Sequence, residues 1–206
     1  MARKKYIIGM FLTILGLATA ISITVAPSLM AHEEHRRQIP FDGMTLSYQS
    51  YWTWAPPGSS PLVSRMITFY GDPSEPDYIW VRDSENIPDT LSDDTVFKID
   101  VTTRKIVGQE GYTQALFPTD LHVGDELIAQ WGGPITIIGS QTMSVMGKQV
   151  DAWIAYAEGS WGWYTQYYEK KTGISLGGTH VWYEGDTLNS WVMYLVSTNA
   201  PLFEED

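Results

Sequence analysis

Few residues of this chain are of types and spacings that do chemistry, and most fall short of the pattern their chemistry needs. Cysteine is absent, which removes thiol nucleophiles, disulfides and a lipid-modified N-terminal cysteine together. Ser160 lies in Gly159-Ser160-Trp161-Gly162, which lacks the Gly-x-Ser-x-Gly spacing that presents a serine on a strand-to-helix elbow. His32-Glu33-Glu34-His35 brings its second imidazole one residue too early for the His-Glu-x-x-His zinc pattern, so it reads as a polar segment leaving a membrane. His122 and His180 stand alone, one beside a turn and one at a strand start. Asp83, Glu85, Asp89, Asp93 and Asp94 form the densest set of oxygen ligands. Ca²⁺ takes about six to eight oxygens, so these residues are the calcium candidates. Their spacing matches no EF-hand loop, and the competing reading is a solvated acidic loop over residues 83–94. Glycoside hydrolysis needs two carboxylates across a cleft. Glu169 and Glu184 are the acids most embedded in aromatic strands, although Glu169 also suits a turn.

Aromatic side chains are the more distinctive feature, with 9 Trp and 12 Tyr. Trp161, Trp163, Tyr164, Tyr167, Tyr168, Trp182 and Tyr183 crowd the C-terminal strands. Strand alternation sends Trp163 and Tyr167 one way, and Tyr164 and Tyr168 the other. One of these faces must be core. The other, if it meets solvent, is a platform suited to sugar rings, an apolar ligand or a protein partner. Cross-strand pairing that only stabilises the sheet is the alternative.

The elements that must carry these residues are strands. From residue 41 onward the apolar period is two: Met44, Leu46, Tyr48, Ser50 and Trp52 alternate with Thr45, Ser47, Gln49 and Tyr51. Further strands are expected over residues 62–70, 78–82, 95–101, 105–107, 126–131, 135–138, 142–146, 149–157, 163–169, 174–176, 181–184 and 187–197. Gly- and Pro-containing turns such as Gly71-Asp72-Pro73 and Gly147-Lys148 separate them. About a dozen short strands without an amphipathic helix predict an antiparallel all-β meander, as a sandwich or a strongly curved sheet. Two of its turns resemble each other: Asp100-Val101-Thr102-Thr103 and Glu169-Lys170-Lys171-Thr172-Gly173. In each, the acid is placed to accept backbone N–H bonds, and Gly173 suits a positive φ.

Ahead of this body, residues 7–26 form an uncharged apolar run preceded by Arg3, Lys4 and Lys5. A helix of that length spans about 30 Å, the hydrocarbon thickness of a bilayer. The basic flank keeps the N-terminus cytoplasmic and exports the rest. A cleaved signal peptide ending at Ala18-Thr19-Ala20 is the rival, but the apolar run continues through Ile21, Ile23 and Val25. The expected organisation is a cytoplasmic flank and signal-anchor over 1–31, a juxtamembrane linker over 32–40, an extracytoplasmic β domain over 41–199 and an acidic tail over 200–206.

All 24 acidic residues follow the apolar run, against 13 basic residues in the whole chain. That balance argues against a nucleic-acid partner. The acid–x–x–Thr–Gly hairpin, the turn Pro118-Thr119-Asp120-Leu121-His122-Val123-Gly124-Asp125 and the single N-terminal anchor together resemble uncharacterised archaeal-type membrane-anchored β-domain proteins. The pattern is similar, more loosely, to lipoprotein-carrier domains, whose curved sheets hold acyl chains in a concave apolar face. The resemblance implies no particular site residue. The expected function is a single-pass, membrane-anchored binding or interaction module rather than an enzyme, with a protein or glycan partner on the aromatic face. A carrier for an apolar ligand is the runner-up, and an envelope glycoside hydrolase using Glu169 or Glu184 is the third reading.

Overall fold

The alternation read from residue 41 onward is realised as strands whose inward residues share one core. The computed structural model describes residues 39–53, 62–86, 93–130 and 133–202. The predicted membrane helix, most of the linker, Asp89 and the end of the tail lie outside the described residues. No helix among the described residues is long and apolar enough to cross a membrane.

Ten strands follow in chain order: β1 (Thr45–Trp52), β2 (Leu62–Gly71), β3 (Tyr78–Asn86), β4 (Asp93–Asp100), β5 (Glu126–Ile128), β6 (Pro134–Val145), β7 (Lys148–Gly159), β8 (Gly162–Glu169), β9 (Ser175–Glu184) and β10 (Thr187–Thr198). They form one sheet in the order β4-β3-β2-β1-β10-β9-β8-β7-β6-β5. Of the two architectures expected, the single curved sheet is the one adopted. It consists of two meanders, β1–β4 and β5–β10, sewn together where β1 pairs antiparallel with β10.

A single sheet with one apolar face must curl or find cover, and this one does both. The connection from β4 to β5, residues 101–125, has to travel from one sheet edge to the other. Ala115, Leu116, Phe117 and Leu121 of this crossover are buried. Leu116 bridges Ile174, and the Phe117 ring stacks on Tyr168 with centroids 3.8 Å apart. The crossover also ties the two edges together: Ile106 bridges Ile99 of β4, Lys105 bridges Tyr112, and Tyr112 bridges Ala129 just after β5. The inner face at this end is thus a packed core, with Ile67, Phe69, Val81, Ile99, Ile135 and Ile137 buried in it.

The similar turns both behave as expected. Asp100 Oδ1 accepts from Thr103 N at 2.6 Å, while Glu169 accepts from Lys171 N at 3.0 Å and Thr172 N at 2.5 Å. Gly173 has φ +69°, and Arg104 holds the same left-handed conformation at φ +62° in the other turn. The two turns also meet: Arg104 Nη1 donates to Thr172 O at 2.6 Å and to Phe117 O at 2.7 Å.

Several expected breaks are absent. Residues 135–138 and 142–145 belong to one strand, β6, whose register shifts between Ile137 and Gly139. Residues 175–176 and 181–184 are likewise two ends of β9, with Ile174 bridging Leu116 just before it. Its Gly177-Gly178 pair does not interrupt the strand; it lets the neighbours in. A Cβ on Gly177 (φ +126°) would lie 2.2 Å from Met193 O of β10, and one on Gly178 would lie 2.3 Å from Thr165 O of β8. The acidic loop expected over 83–94 is shorter than that. Asp83 and Glu85 belong to β3, and Asp93 and Asp94 to β4. Arginines supply the counter-charge: Arg65 pairs with Asp83 and Arg82 with Asp94.

Candidate functional site

At the end of the inner face that the crossover leaves open, strand pairing sets four rings side by side. Trp52 of β1 lies opposite Trp191 of β10, Trp191 opposite His180 of β9, and His180 opposite Tyr164 of β8. Strands lie about 4.8 Å apart, so this row runs roughly 14 Å across the sheet. Trp182, two residues further along β9, extends it toward the rim. Trp161, in the β7–β8 turn, closes the side: it lies over Gly159, where a Cβ would come within 2.6 Å of its indole nitrogen. The ends of β1 and β10 are locked by Thr53 N donating to Ser190 O at 3.0 Å and Ser190 N donating to Thr53 Oγ1 at 2.7 Å.

These rings line a cavity of about 700 Å³, with Arg65, Glu85 and Gln114 contributing the remaining described lining. The volume is in the range of small-molecule sites. The rings meet mostly edge to face. Trp52 and Trp191 are inclined at 72°, Trp161 and His180 at 77°, and Tyr164 and His180 at 78°, while Trp182 tilts 42° from His180. No described lining residue is aliphatic. The Trp191 indole N–H and the Ser50 hydroxyl are buried without a hydrogen-bond partner among the described residues. Such groups cost about 1–3 kcal/mol each.

Between cavity and core lies a polar floor. Arg65 Nε donates to Asp83 Oδ1 at 2.8 Å, a second guanidinium nitrogen meets Asp83 Oδ2, and Nη1 donates to Gln114 Oε1 at 3.0 Å. Tyr48 Oη donates to Ser175 O at 2.9 Å, Tyr164 Oη donates to Gln166 Oε1 at 2.7 Å, and Gln166 Nε2 donates to Ser175 Oγ. Burial by itself would lower the Arg65 pKa, but its hydrogen bonds and charge interaction with Asp83, then the charge of Glu85, hold it above its ordinary value. Burial raises the Tyr48, Tyr164 and Tyr168 phenols. The same desolvation lowers the His180 pKa below 6.5, so the imidazole is neutral near pH 7.

The aromatic residues singled out from the sequence divide between two faces. Trp161, Tyr164 and Trp182 line the cavity, and Tyr168 lies in the core beneath it. Trp163 and Tyr183 stand on the outer face, 36% and 54% exposed, with Tyr167 half-buried beside them. The outer face continues through Tyr51, which lies opposite both Val192 and Leu62. Of the calcium candidates, Asp83 and Asp94 are engaged by arginines, Glu85 lines the cavity, and Asp93 lies opposite Glu85 in the ladder. Among the described residues no three acidic or histidine side chains are grouped to hold a metal ion.

Glu169 is buried in its turn role. Glu184 lies at the other end of the β8–β9 pair, about nine residues or roughly 30 Å away along the strands. The two therefore cannot act together across one bond.

No motif in the sequence marks Arg65, Gln114, Trp52 or Trp191 as site residues, and His180, expected at a strand start, lies half-buried well inside β9. The signal for Arg65 was its parity: it shares a strand face with Val63, Ile67 and Phe69, and a cation there needs a buried partner. No protein-family model matches the chain, and no curated protein matches it in sequence.

Proposed function

We propose that residues 40–202 form an extracytoplasmic binding module that takes a small molecule into the tryptophan-lined cavity, held at the membrane by residues 7–26. The observation that carries this is the cross-strand row Trp52–Trp191–His180–Tyr164, which lines a cavity among the described residues above a hydrogen-bonded polar floor. A row of large aromatics facing a cavity favours a ligand over bulk water, since each ring offers about 150–250 Å² of apolar surface. The binding reading is supported by Asp83, beside the cavity, being committed to Arg65.

The test is titration of the full-length chain in nanodiscs with N-phenyl-1-naphthylamine, a neutral apolar probe read by energy transfer from tryptophan. One saturable site per chain is expected, and it is lost in Trp182→Ala. Transfer that never saturates, or that is the same in Trp182→Ala, sinks the reading.

A second reading is favoured by the outer face, where Trp163 and Tyr183 flank a shallow recess with Glu158. There the module would meet a protein or glycan partner, and Trp163→Ser with Tyr183→Ser would abolish that contact while leaving probe binding intact.

A further inference from the structure

Resting on the cavity reading above, the walls also say what kind of ligand fits. An acyl-chain carrier needs aliphatic lining, which the described walls lack. A sugar site needs flat ring faces with spare hydrogen-bonding groups alongside. Here the guanidinium of Arg65 is engaged by Asp83 and Gln114, and the Tyr164 hydroxyl by Gln166. The rings, inclined at 72° to 78° in three neighbouring pairs, form walls that face different directions. That is a box, not a stacking platform. Among the described residues the charged groups at the box are Arg65 and Glu85, with Asp83 paired to Arg65 behind them, one cation against two carboxylates. Indole faces attract cations through the ring quadrupole, most strongly when the cation is poorly hydrated and the site is dry.

We infer that the cavity is an aromatic cage for a methylated ammonium group, with Trp52, Trp161, Trp182 and Trp191 supplying the ring surfaces and Glu85 the facing carboxylate. At about 700 Å³ the cavity is larger than such a head group, so the head group belongs to a drug-sized molecule.

The experiment compares choline with 3,3-dimethylbutan-1-ol, which has the same shape without the charge. The full-length chain in phosphatidylglycerol nanodiscs is titrated with each by calorimetry. Choline is expected to bind at least about tenfold more tightly than the alcohol, the scale of a desolvated cation–π contact. Trp182→Leu and Glu85→Gln should each narrow that ratio, and Trp182→Phe, which keeps a ring face, should largely retain it. Equal binding of choline and the alcohol overturns the cage while leaving the cavity reading intact. Binding of glucose in preference to both overturns it in favour of a glycan. If neither compound binds and the naphthylamine probe also fails to saturate, the cage and the cavity reading fall together. Retained probe binding in Trp182→Leu would overturn the cavity reading's dependence on that wall, whereas near-ultraviolet circular dichroism separates either result from misfolding.

Discussion

Arg65 is the residue on which the site's polarity turns. It is inward-facing, nearly buried and paired with Asp83 through two nitrogens. Removing one member of such a pair strands a charge in a poorly solvated place, at a cost of about 3–5 kcal/mol. Asp83→Asn is therefore expected to lose about that much by urea denaturation, and Arg65→Met with Asp83→Leu together should lose far less. His180 gives the second prediction at this scale. Its folded pKa lies below 6.5 because burial disfavours the imidazolium, so the unfolded chain binds the proton more readily. Stability should be fully present above the unfolded value and should decline as pH falls through the folded one. The charged groups sharing its cavity are Arg65 and Glu85. A urea midpoint that falls between pH 7 and 5 in the parent, and does so less in His180→Phe, would bear this out. Of the cavity residues, Tyr164, Trp161 and Trp182 are legible as a ligand face, because aromatic density marks it. Glu85 is legible only as a calcium candidate and Arg65 not at all, because nothing local says that β2 and β3 curl round to meet β9.

Among the elements, the crossover 101–125 closes one end of the sheet, while the described residues leave a cavity at the other, and its anchor is Phe117 against Tyr168. Phe117→Ala should cost about 3–5 kcal/mol by thermal or urea unfolding, the range for deleting a buried aromatic. Arg104 holds this segment to the β8–β9 turn through two carbonyls, and burial lowers its pKa to about 10. The expected returning strand at 105–107 is in fact part of a run of isolated bridges at Ile106, Tyr112 and Leu116. Isolated bridges have no period to read. The hairpins were easier. Asp100 and Glu169 take N–H groups within their own turns, so a local recipe suffices. Gly177 misled because a glycine that admits a neighbouring backbone looks, in one dimension, like one that ends a strand.

On the scale of the whole molecule, alternation made the all-β class legible, but it does not distinguish one curled sheet from two stacked ones. What decides is the partner of β1, and Leu46 opposite Thr198 is invisible to any local rule. Placement outside the membrane rests on Arg3, Lys4 and Lys5 ahead of residues 7–26. An alkaline phosphatase reporter fused after Asp206 should be active, and a fluorescent protein that matures only in the cytoplasm should stay dark there. The opposite pattern would remove the membrane-held module altogether.

The seam between β1 and β10 has a consequence for assembly. Strands at the two extremes of the domain are neighbours in the middle of the sheet, and contacts between residues so distant in sequence form slowly. Each meander can form its own hairpins as it emerges. The half carrying Trp52 and Arg65 has nothing to close against until residues 187–198 arrive, so a chain stopped short of them would present an incomplete sheet. Such intermediates expose long unpaired strand edges, which makes the interval before the last strand docks the time when this protein most needs a chaperone.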